Sequence, residues 1–167
     1  MAGAIKTLAD ENYKISLSVT PPADMAAMTA VELDEMLDAS CLLAANGTRL
    51  SATASDTISD PAICQSANAS VPGSSNYEAS LVPFAYFLDG KYVVEDNPVF
   101  EMVRERGATI YAYTRRGPAH DEPWDTGDIY SAFELVTDWP TESDGAGWIK
   151  YPTACEVQRA ELFKTVV

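Results

Sequence analysis

"EDNPVFEMVRERGATIYAYTRRG", residues 95–117, carries two kinds of order side by side. The first half reads as a helix. Asn97 takes the cap position, Pro98 the first helical position, where a missing N–H costs nothing, and Gly107 the stop. The helix is expected over Pro98 to Arg106, with Val99, Phe100, Met102 and Val103 as its buried stripe. The second half, residues 108–116, is rich in β-branched and aromatic side chains and reads as a strand.

Working outward, the other segments are mostly strands. "YKISLSV" (13–19), "IYSAFELVTDW" (129–139) and "WIKYPTACEVQRAELFKTVV" (148–167) fit strands, the last as one or two. "TAVELDEML" opens with Thr29 and has Glu32 three residues on, the capping-box spacing, so one or two helical turns are expected there. "ASCLLAANGTRLSATAS" reads as a hairpin turning at Asn46-Gly47. One main helix among about seven strands predicts a mainly β fold, a β-sandwich or barrel with one flanking α-helix.

Two stretches do not fit a closed domain. "NYEASLVPFAYF" (76–87) reads as one strand, but it alternates apolar and polar residues only at its start. The face bearing Glu78, Ser80, Val82, Phe84 and Tyr86 needs a cover, and a neighbouring chain can supply it. Residues 51–76 are rich in Ser, Ala and Asn, and Ile58, Ile63 and Val71 are their main apolar anchors. That is too little to offset the ordering entropy of so long a stretch, so it is either functional or mobile.

The chain has 167 residues, 47% hydrophobic, which suits a single domain over 1–167, with 1–29 as a terminal arm and first strand. Its net charge is −14, and eight acids with no base lie between Asp121 and Asp144. Such a surface does not grip phosphate backbones, which takes clustered Lys and Arg. No apolar run approaches the roughly 20 residues of a membrane span, and the start lacks the pattern of a secretory signal, so a soluble protein made inside a cell is expected. Three cysteines and one histidine argue against a disulfide framework or a zinc site.

Chemical motifs are weak. "DTG" at Asp125–Gly127 matches the aspartic-protease triplet, but it follows Pro123-Trp124 and reads as a turn before a strand. His120 beside Asp121 has no nucleophile elbow to serve and reads as a loop histidine. Cys41 and Cys155 read as core thiols, and Trp124, Trp139 and Trp148 as core or rim packing. No catalytic, cofactor or metal site is expected.

"LDEMLDASCLL", "SDTISDPAICQSANASVPGSSNYEASLVPF", "NPVFEMVRERGATIYAYTRRG", "GDIYSAFELVTDWPTES" and "GWIKYPTACEVQRAELFKTVV" together resemble the major tail tube proteins of long-tailed, siphovirus-type bacteriophages, those of actinobacteria in particular. The resemblance covers about residues 30–167, by pattern rather than by a short signature. It implies a structural virion protein, made in the host cytoplasm, whose six-membered rings stack into the tube that conducts DNA during ejection. It also implies no catalysis and no cofactor. The implied partners are further copies, the terminator, tape measure and tail-tip proteins, and DNA that passes without specific binding; no membrane is involved. Residues 51–76 then become an inter-ring loop, with Ile58, Ile63, Val71, Phe84 and Tyr86 as inter-subunit candidates. Glu78, Glu134, Glu156 and Asp128 become candidates for the negative channel surface, where repulsion lets DNA slide. The alternatives are a tail-tip or head–tail joining ring protein of the same fold, a β-sandwich adhesin or carbohydrate-binding module with the tryptophans as its ligand face, and, more distantly, a small hydrolase using His120.

Overall fold

A computed structural model describes residues 6–60, 63–64, 70–143 and 145–167. The fold is mainly β, as expected. Its centre is a seven-stranded antiparallel sheet in the order β2-β1-β9-β10-β11-β6-β3. The strands are β1 (Tyr13–Ser18), β2 (Leu37–Asp38), β3 (Arg49–Thr53), β6 (Asn76–Leu81), β9 (Thr109–Arg116), β10 (Ile129–Thr137) and β11 (Thr153–Thr165). Two small hairpins stand apart, β4 (Thr57–Ser59) with β5 (Ser70–Pro72) and β7 (Phe87–Leu88) with β8 (Lys91–Tyr92).

Alternation along the strands gives the sheet two faces. On one, Ile15, Leu17, Ile110, Ala112, Phe133 and Leu135 form a core under α2 (Pro98–Val103), which buries Val99 and Val103. On the other, Tyr111, Tyr113, Tyr130 and Ala132 pack under Met25, Met28 and Leu33, the last from α1 (Ala30–Asp34). β9 is therefore covered on both sides and buried from Ile110 to Arg115. The capping box of α1 forms as read: Thr29 Oγ1 accepts the Glu32 N–H, and Glu32 Oε2 accepts the Thr29 N–H.

α2 departs from its expected form in two ways. It stops at Val103 rather than Arg106, because Thr137 turns the chain: its hydroxyl donates to Glu105 O at 2.7 Å and its carbonyl accepts the Gly107 N–H. Asn97 holds the cap position but makes no cap hydrogen bond. Its buried amide instead accepts the Tyr86 N–H and donates to Tyr86 O and Val93 O. Phe100 and Met102 lie at the core's rim, and Phe100 stacks on Tyr151 at 4.4 Å.

The expected hairpin at Asn46-Gly47 does not form. The turn is there, with Gly47 at φ 101°, but the flanking segments find other partners. Leu42–Ala44 runs beside Val82–Phe84, and Arg49–Thr53 joins β6. The expected strand over 76–87 ends at Leu81, as Pro83 lacks the N–H that would continue a ladder. The cover for Val82 comes from this chain's own turn: Val82 O accepts the Ala44 N–H, Val82 N–H donates to Thr48 Oγ1, and the side chain lies against Gly47.

Candidate assembly interface

β3 and β6 leave the sheet together. β6 pairs with β11 only through Ala79–Leu81 opposite Thr153–Cys155. Just beyond, between Val157 and Arg159, β11 carries a bulge, and bulges bend a strand and end pairing. The hairpin continues outward in one register, Arg49 opposite Ser80, Thr53 opposite Asn76, Thr57 opposite Pro72 and Ser59 opposite Ser70. Between the two ladders, Asn76 Nδ2 donates to Ala54 O and Asp56 Oδ1, and Gly73 N–H donates to Asp56 O. The result is an arm. Every residue of β4 and β5 is exposed, Ile58 and Val71 included, and so is Ile63 near the tip. The expected inter-ring stretch 51–76 thus falls partly in the sheet and partly in this arm; residues 61–62 and 65–69 of it lie outside the described residues.

Phe84 and Tyr86 stand on a second surface, a groove of about 570 Å³ between residues 84–87 and 147–149. Its walls are tied together: Ala85 N–H donates to Ile149 O at 2.9 Å, Phe84 bridges Lys150, and Asn97 clasps Tyr86. Trp148 is 81% exposed on the groove, and Trp139 is exposed as well. Of the three tryptophans only Trp124 is buried, its Nε1 donating to Ser16 Oγ. Sequence reasoning missed Trp148; the one available signal was its Gly-rich flank, which marks a loop rather than a core strand.

The register brings three of the four acid candidates to one face. Glu134 lies two residues from Val136, which is opposite Glu156; Ala154, two further along, is opposite Ser80, and Glu78 lies two residues from Ser80. The same face carries Arg159, whose hydrogen bond to Glu161 lowers that carboxyl's pKa. Asp128 is placed differently. Its carboxylate accepts from buried Arg115 at 2.8 Å and from the Asp125 N–H, and its side chain is 16% exposed.

Arg115 organises the loop before β10. It donates to Pro123 O, Ala119 O and Glu122 O as well, and its guanidinium lies 5.0 Å from the Trp124 ring. The "DTG" triplet is a turn in that loop, with Gly127 at φ 98°. Cys41 is exposed, not a core thiol, because the chain there runs over the surface instead of forming the expected hairpin. Its sulfur lies 3.9 Å from His120 Nδ1, and among the described residues no carboxylate orients that ring, so no triad is assembled. Cys155 is buried, which pushes its thiol up to about 12.

The chain matches the phage tail tube protein family over residues 1–167. It belongs to that family. No curated protein matches it. A tail tube protein is a structural component of the virion tail and assembles with itself and with other tail proteins.

Proposed function

We propose that this tail tube protein forms hexameric rings that stack into the tube of a long-tailed phage of actinobacterial type, and that the tube conducts DNA during ejection. The observation that carries the reading is the arm, a hairpin built in one register whose apolar side chains Ile58 and Val71 stay more than half exposed. A monomer gains nothing from exposing Ile58 and Val71 on a projecting ladder, whereas a stacked subunit buries them. The 167-residue chain acts as one domain. Glu78, Glu134 and Glu156 share a sheet face and serve as the negative channel wall, along which DNA slides without specific binding. Asp128 contributes less, since Arg115 already neutralises it. The protein is made in the host cytoplasm, crosses no membrane, and meets the terminator, tape measure and tail-tip proteins at the tube's ends and interior.

Electron microscopy of the concentrated purified chain tests this. Long tubes support the reading. Single rings that never stack point to a joining or tail-tip ring instead, and monomers that bind glycans through Trp139 and Trp148 point to an adhesin.

A further inference from the structure

The arm and the groove are both apolar, both open, and lie on different parts of one chain. We propose that they are the two halves of a single contact: the arm of one copy, through the Ile58–Val71 pair, seats in the groove between Tyr86 and Trp148 of a second copy. This rests on the stacking reading above and names the surfaces that carry it.

Ile58 and Val71 are directly opposite each other across the hairpin, so they form one apolar patch rather than two scattered side chains. Ile58 lies across Gly73, where a Cβ would come within 3.0 Å of it, and this closeness fixes the patch on the ladder. The groove is equally well defined, because its walls are held by the Ala85–Ile149 hydrogen bond and by Asn97. Its lining is mainly aromatic and aliphatic, with Cys41 at one edge and no charged side chain among the lining residues. A two-stranded apolar edge suits it.

Charge agrees. From Leu50 to Gly90 there is no Lys or Arg, and the arm carries Asp56 and Asp60. Lys150 adjoins Ile149 in the groove wall, and Lys91 lies on the strand paired with Phe87–Leu88. Among the described residues neither lysine forms an ion pair. Finally, the two patches are different surfaces of one chain, so copies can add one after another without using up the contact. They repeat head to tail, which is what a stack requires.

The test uses the full chain in two variants, Ile58→Glu with Val71→Glu, and Trp148→Glu. All three positions are exposed, so melting curves should match wild type. Each variant should raise the critical concentration for tube growth at least tenfold. Added at a small fraction to wild type, each should also shorten tubes, because it keeps one half of the contact and caps the growing end; a misfolded chain would not. Wild-type tubes together with a Trp148→Glu chain that grows tubes at the wild-type concentration overturn this inference and leave the stacking reading standing. A wild-type chain that forms neither rings nor tubes overturns the stacking reading itself.

Discussion

Replacing Arg115 tests how the loop from 117 to 128 is held. The side chain is 1% exposed and reaches four acceptors at once: Asp128 Oδ2, and the carbonyls of Pro123, Ala119 and Glu122, at 2.7–2.9 Å. Arg115→Met keeps the stem and removes every donor. Asp128 loses its cation and Pro123 O loses its donor, while Glu122 O keeps Lys14 Nζ and Ala119 O keeps the Glu122 N–H. Removing one member of a buried pair costs about 3–5 kcal/mol. Because Asp128 retains some access to water, the lower part of that range applies, about 3–4 kcal/mol. For a domain of this size that lowers the melting temperature by roughly 6–16 °C. Circular dichroism melts of wild type, Arg115→Met and Asp128→Asn give the answer. Asp128→Asn should also destabilise, but by less, because the three carbonyl bonds survive. A shift under 2 °C for Arg115→Met would refute the reasoning and return Asp128 to the set of free surface charges.

Four further outcomes follow from the structure. Phe100→Ala should cost about 2–3 kcal/mol in chemical denaturation, below the ~3–5 kcal/mol of a fully buried aromatic, since Phe100 sits at the core's rim. Replacing two or three of Glu78, Glu134 and Glu156 with Lys should leave folding intact and slow DNA ejection; wild-type rates at low salt would remove the proposed sliding role. Amide exchange in β4 and β5 should be fast in the monomer and slow in the tube, while that of 109–114 should be slow in both; equal protection of β4 and β5 in monomer and tube would mean that ring contacts lie elsewhere. Burial favours the neutral thiol of Cys155, raising its pKa from 9.0 to about 12, so the stability it contributes is complete below pH 9 and is lost as pH rises toward 12. Denaturation measured from pH 8 to 11 should show that fall, and Cys155→Ala should reduce it, the remainder coming from Tyr13, Tyr113 and Tyr130, whose pKa values burial also raises.

What the sequence by itself determined is what neighbours along the chain can settle. Thr29 and Glu32 are three residues apart, and a capping box needs nothing more. Pro98 and Gly107 bracket the helix to within three residues, because one fits a first helical turn and the other tolerates φ 81°. The β-branched and aromatic content of β9 and β10 is likewise local, and with it the mainly β class. The tertiary structure decided every question that depends on which segment lies beside which. Asn46-Gly47 turns as read, but no hairpin follows, because the segment before it pairs with Val82–Phe84 and the segment after it with β6. Asn97 looks like a cap and acts as a clasp on Tyr86, a role set by a segment eleven residues away. Asp128 reads as one more acid in an acidic run until Arg115, thirteen residues earlier, folds under it. Cys41 and Trp148 are apolar in type and exposed in place, since exposure depends on what packs above a residue and not on its own chemistry. The arm has the same origin: its composition marks a stretch that cannot bury itself, but only the bulge in β11 and the early departure of β6 make it project from the sheet.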